Sequence, residues 1–133
     1  MRLVLDTNIL VSALLKPGSV PDRLLTIIWA GAALVLYDAR MTDEYRTVLA
    51  RAKFRAIERA RIDELFARLL AHGEEIAGAR EWMAAMRDDD DRIFVEVAVA
   101  GRADAIVTGN LKDYPRDQGV EVHPPATLLA MLG

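Results

Sequence analysis

Residues 2–10 read RLVLDTNIL, and this stretch decides the fold. Leu3, Val4 and Leu5 form a short apolar run that ends on a carboxylate, Asp6. Thr7 and Asn8 follow, and apolar residues then recur at Ile9, Leu10, Ala13 and Leu14. The short run reads as a buried strand, and the helical spacing behind it reads as a helix. A carboxylate leaving the C-terminal end of a central parallel strand stands where open α/β proteins place their chemistry. The expectation is that the fold brings some of the later acidic residues back to Asp6.

Downstream the alternation repeats. Lys16 to Pro21 are turn residues, and a proline-opened helix buries Leu24, Leu25, Ile28 and Trp29 before ending at Gly31. Residues 33–37 read as a second strand, and Asp38 as the N-cap of a helix over 39–51 with Met41, Tyr45, Val48 and Leu49 inward. Residues 54–73 read as continuing helix, Ile76 as part of a short strand, and Trp82, Met83 and Met86 as a helical turn. A helix is expected to start within the aspartate run and continue to Gly101. A strand over 104–108, a loop over 109–115, a last strand over 120–122 and a closing helix over 126–132 complete the chain. Strands alternating with helices predict a three-layer α/β/α sandwich around a mostly parallel sheet. With no repeat, linker or low-complexity segment, residues 1–133 read as a single domain.

Composition narrows the class. The 133 residues are 53% hydrophobic, enough for one core, and 28% charged, as in ordinary soluble domains. No apolar run reaches the ~18 residues of a membrane span, and the start lacks a signal-peptide layout. Cysteine is absent, which excludes disulfides and thiolate metal sites. The cytoplasm is therefore the expected compartment. The net charge of −3 does not suggest a nucleic-acid binder, but its distribution is uneven. Arg51, Lys53, Arg55, Arg59 and Arg61 crowd one stretch, and Asp88 to Asp91 are consecutive. Such runs are ordinarily solvated faces; together they also suit a phosphate-binding rim beside a cation site.

Geometry separates a few acids from the rest. Asp6 ends a strand covered on both faces, where a carboxylate is costly unless paired or ligating. Glu44 shares a helical stripe with Met41 and Val48, so it either snorkels to water or serves a site. Asp91 shares a stripe with Phe94, Val95 and Ala98, whereas Asp88 to Asp90 suit a helix N-terminus. The loop after the 104–108 strand offers Thr108, Asn110 and Asp113 at the sheet edge of Asp6. Four candidates would then converge at one end of the sheet, where clustered carboxylates need a compensating cation. Hard oxygen ligands in small number are the Mg²⁺ or Mn²⁺ pattern.

The order VLDTNILVSALL, DEYRTVL and DDDDRIFVEVAVAGRADAIVTGNLKDYP resembles the PIN-domain family. It looks closest to the VapC-type toxin components of bacterial toxin–antitoxin pairs, and the resemblance covers nearly the whole chain. It implies a PIN-like α/β/α fold and a Mg²⁺- or Mn²⁺-dependent ribonuclease site of about four acids. Carried over, these acids fall on Asp6, Glu44 and Asp91, with the fourth on Asp113, or at Asn110, where some members carry Asp. Asp6, Asp91 and Asp113 would hold metal, and Asn8, Thr108 and Asn110 would line the site. The same resemblance implies an RNA substrate, a small antitoxin partner and a homodimer. Arg51, Lys53, Arg55, Arg59 and Arg61, with Lys112 and Arg116 beside the loop, are the candidates for the RNA backbone.

Other chemistries fit less well. A phosphatase of the HAD type also starts from a strand-end Asp, but needs a second acid where this chain has Asn8. His72 stands beside Gly73 at a helix end, and His123 precedes Pro124 and Pro125; neither has a paired group for metal-free catalysis. A non-catalytic PIN-like interaction domain remains the alternative from a different class, and Asn110 is the feature that sustains it.

Overall fold

A computed structural model describes residues 1–78, 91–115 and 119–133. Its five strands are β1 (Arg2–Leu5), β2 (Leu34–Tyr37), β3 (Glu74–Glu75), β4 (Ala105–Val107) and β5 (Glu121–His123). They form one sheet in the order β3-β2-β1-β4-β5, and every pairing is parallel. The main helices are α1 (Thr7–Leu15), α2 (Val20–Ile27), α3 (Ala39–Leu49), α4 (Arg59–His72), α5 (Arg92–Ala100) and α6 (Pro125–Leu132). The architecture is the α/β/α sandwich that the alternation predicts.

β1 is central because its side chains are apolar in both directions: Leu3, Val4 and Leu5 are all at most 1% exposed. From β1 the chain steps outward through β2 and β3, then crosses to β4 and β5 on the other side. The carboxyl ends of β1 and β4 therefore flank the switch point where open α/β sheets open a crevice. The register Leu5↔Val107 brings Asp6 and Thr108 out of the sheet at the same level. The Asp6 amide also donates to the Val107 carbonyl at 3.0 Å, which extends this ladder to the site.

Several boundaries differ from the sequence expectation. The expected helix over 54–73 is interrupted: a 3-10 turn occupies Ala52–Phe54, and α4 begins at Arg59. Arg51 and Glu58 are both extended, and Ile57 turns into the core between them, so helical periodicity alone hid a corner. α2 passes into a π-helical turn, Ile28–Ala32, within which Gly31 takes φ 107°, a conformation glycine adopts without a Cβ clash. β3 comprises Glu74 and Glu75 rather than Ile76, whose amide instead donates to the Tyr37 carbonyl at 2.7 Å. α5 begins at Arg92, with Asp91 at its N-cap position rather than within the helix. The expected turn around Trp82, Met83 and Met86, and the residues Asp88 to Asp90, lie outside the described residues.

Candidate active site at the carboxyl edge of the sheet

Asp6 does two local jobs. Its extended backbone ends β1, and it is the N-cap of α1, accepting weakly from the Asn8 amide at 3.5 Å through Oδ1. It is only 5% exposed. Its other oxygen, Oδ2, accepts from the Thr108 hydroxyl at 2.8 Å and from the Tyr114 hydroxyl at 2.9 Å. Burial raises the Asp6 pKa above the ordinary carboxylate value, and the Thr108 and Tyr114 hydrogen bonds offset only part of that cost. An acid in this state gains from any cation that reaches it.

The polar residues expected around Asp6 are in place. Thr108 is fully buried; its hydroxyl donates to Asp6 and accepts from the Asn110 amide at 3.0 Å. Asn8 is half-buried, and its Oδ1 accepts from the Gly109 amide at 3.4 Å, tying the start of α1 to the loop after β4. Asn110 itself is exposed and precedes a 3-10 turn, Leu111–Asp113.

The acids are only partly gathered. Asp91, half-buried, acts with Asp6 on Tyr114: after burial, their negative charges are the next causes that push the Tyr114 phenol far above its usual pKa. Asp6, Asp91 and Tyr114 thus share one electrostatic neighbourhood. Glu44 is half-buried on α3, one residue before Tyr45, whose hydroxyl donates to the Leu5 carbonyl at 2.5 Å and whose ring stacks on Phe94. Asp113 is half-buried in the 3-10 turn. Among the described residues, however, no three of Asp, Glu and His stand close enough to form a metal-ion group. Glu44 and Asp113 therefore do not join Asp6 and Asp91 in a ready-made four-acid cage.

Beside this centre is an ion-pair network that sequence reasoning missed. Asp38 caps α3 by accepting from the Met41 amide at 2.9 Å, as its position predicts. It also accepts from Arg40 Nε at 2.9 Å, and Arg40 Nη1 reaches Glu96 on α5 at 2.6 Å. Glu96 is 4% exposed and Asp38 8%. The signal was present, because Glu96 interrupts the apolar run FVEVAV. Its partner is 56 residues away, so spacing did not reveal it. Tyr114 was also missed; an aromatic between Asp113 and Pro115 in a polar loop was its only mark.

The basic stretch divides. Arg61 is half-buried and donates to the Leu14 carbonyl at 2.6 Å, so it closes the end of α1. Arg59 pairs with Asp63 on the surface of α4. Arg51, Lys53 and Arg55 are exposed around the 3-10 corner, and Lys112 is exposed in the site loop. His72 lies 6.4 Å from Trp29 between ring centroids, and His123 approaches Glu121 at 3.5 Å. Arg116 lies outside the described residues.

These features define a parallel α/β domain with a buried acid at its switch point. A model of the PIN domain matches residues 2–112, and the chain belongs to that family. No curated protein and no solved structure shows a significant match. PIN domains are generally nucleases and typically use divalent metal ions, so the family implies a nucleic-acid substrate. No helix among the described residues is long and apolar enough to cross a membrane.

Proposed function

We propose that this protein is a Mg²⁺- or Mn²⁺-dependent ribonuclease, the toxin of a toxin–antitoxin pair. The reading rests above all on Asp6: a buried acid at the switch point, fixed by donors on Oδ2, with the charge of Asp91 nearby. The donor set suits a hard cation in kind, since Asp6 and Asp91 offer carboxylate oxygens and Asp6 Oδ1 receives no side-chain donor among the described residues. The absence of a three-acid group among the described residues is compatible with Mg²⁺. That ion commonly keeps several waters and binds through one or two carboxylates plus substrate phosphates.

Asp6 and Asp91 would hold the ion, and Asp113 is carried by the 3-10 turn of the loop beside them. When bound, the ion supplies positive charge against the phosphate and a more acidic water. Glu44 is assigned to orient the attacking water; Asn8 and Asn110 line the approach. Water attacks phosphorus in line, the bond to the 3′ oxygen breaks, and that oxygen takes up a proton. Arg51, Lys53, Arg55 and Lys112 are the exposed cations for the RNA backbone; such contacts give affinity rather than sequence choice. The toxin role, a small antitoxin partner, a homodimer and a cytoplasmic location belong to the same proposal and rest on the family likeness.

RNA cleavage by the purified chain tests the activity. It should require Mg²⁺ or Mn²⁺ and vanish in Asp6→Asn and Asp91→Asn. Cleavage lost in Asp90→Asn but kept in Asp91→Asn would move the assignment by one residue. A second reading, a PIN-like interaction domain without catalysis, is favoured by Asn110 and by the incomplete gathering of acids. RNA binding with no cleavage under any divalent ion would select it. Growth arrest on expression in a bacterial host, relieved by Asp6→Asn, tests the toxin role; equal growth of both strains counts against it.

A further inference from the structure

Tyr114 lies beyond the segment that the PIN-domain model matches, which ends at residue 112. It is nevertheless 4% exposed, with its hydroxyl 2.9 Å from Asp6 Oδ2. The Thr108 hydroxyl reaches the same oxygen at 2.8 Å. A carboxylate oxygen offers about two lone-pair directions, so Oδ2 is filled from within the protein. Oδ1 faces the backbone amides at the start of α1, with the Asn8 amide at 3.5 Å and the Thr7 amide beside it, and no side-chain donor among the described residues reaches it. The two oxygens of Asp6 are thus inequivalent, and the difference is built by side chains from the loop after β4.

We propose that Tyr114 is a positioning residue: with Thr108 it fixes the Asp6 carboxylate so that Oδ1 is the oxygen offered to a divalent cation. This rests on the reading of Asp6 as a metal ligand. Thr108 alone gives Oδ2 one donor, whereas two donors on that oxygen fix the plane of the carboxylate. Tyr114 is suited to the task because its rigid ring is buried and its hydroxyl, a donor at neutral pH, ends 2.9 Å from Oδ2. The same bond anchors the loop carrying Asn110 and Asp113 to the end of β1. Its amide closes the preceding turn by donating to the Leu111 carbonyl at 3.3 Å.

The test is Mn²⁺ binding by the full chain, read from the electron paramagnetic resonance signal of free Mn²⁺. Tyr114→Phe removes one hydroxyl and should weaken Mn²⁺ by about 10–100-fold, the usual effect of losing a group that orients a ligand. KM for RNA at saturating Mn²⁺ should stay within about twofold, because Tyr114 is assigned no RNA contact. Mn²⁺ binding unchanged in Tyr114→Phe but abolished in Asp6→Asn would overturn the positioning role alone. Binding unchanged in both would overturn the metal reading with it. A second measurement does not depend on the variant folding. In the wild-type chain labelled with 3-fluorotyrosine, substoichiometric Mn²⁺ should broaden the Tyr114 fluorine resonance, identified by elimination using Tyr37→Phe and Tyr45→Phe. A Tyr114 resonance left sharp while the protein binds Mn²⁺ would also overturn the proposal.

Discussion

Asp6→Asn should make the metal-free protein more stable at neutral pH. The site holds an ionised carboxylate at 5% exposure, and its pKa is raised despite the Thr108 and Tyr114 hydrogen bonds. Desolvation therefore outweighs the hydrogen bonding. Asparagine keeps an oxygen that accepts from both hydroxyls and carries no charge. It gives up the acceptor that faces the amides of Thr7 and Asn8, of which the Asn8 approach, at 3.5 Å, is at the limit of a hydrogen bond. Removing a buried charge while keeping the two hydroxyl hydrogen bonds gains on the order of 1 kcal/mol, the scale of one imperfectly satisfied buried polar group, or about 3–5 °C in Tm for a domain of this size. The pH dependence follows from the direction of the shift. With its folded pKa above its unfolded value of about 3.9, Asp6 binds the proton more tightly in the folded state. Wild-type stability falls as pH climbs from the unfolded value through the folded one, and the full penalty remains above it. The advantage of Asp6→Asn should grow over that interval, persist at pH 7 and disappear below about pH 4, where Asp6 is also neutral. Urea unfolding in chelator from about pH 3 to pH 8 measures it. Adding Mn²⁺ should stabilise only the wild type and narrow or reverse the difference. A variant less stable than wild type at pH 7 in chelator would refute the reasoning.

Arg40→Met should destabilise the domain by about 1–3 kcal/mol in urea, because it removes a guanidinium from two buried acids; Arg40's own 44% exposure keeps the loss below that of a fully buried pair. Adding Glu96→Gln should restore part of it, and equal losses in the single and double variants would refute the pairing energetics. Replacing Arg51, Lys53 and Arg55 together by Ser should raise KM for RNA about tenfold at moderate salt and flatten the salt dependence of binding, with kcat little changed. An unaltered KM would remove this corner from the RNA path. Arg61→Ser should behave differently, lowering Tm with little change in KM, since Arg61 closes the end of α1 on the Leu14 carbonyl.

The sequence carried the fold because the signals that set it are local. Leu3, Val4 and Leu5 announce a strand covered on both faces, and the alternation from there places β2, β4 and β5 within a residue or so. Asp38 read as an N-cap is an N-cap. Locality failed where tertiary contact decides. The turn at Ala52–Phe54 keeps helical spacing of apolar residues across it, so only the extended Arg51 and Glu58 reveal a corner. At the site, Asp6, Asn8 and Thr108 were legible because parallel strands deliver their carboxyl ends to one edge. Tyr114 bonds across 108 residues and Arg40 across 56, distances at which spacing holds no information. The basic run shows the same limit: five cations look equivalent in sequence, yet Arg61 and Arg59 have protein partners and Arg51, Lys53 and Arg55 face solvent.

The central claim is that Asp6 and Asp91 bind a divalent ion at the switch point. Anomalous diffraction from crystals grown with Mn²⁺ tests it most directly. The account predicts a peak about 2.0–2.2 Å from Asp6 Oδ1, with Asp91 also in contact and Oδ2 still held by Thr108 and Tyr114. A saturated crystal with no peak at Asp6, or with the ion held by other residues, would contradict it.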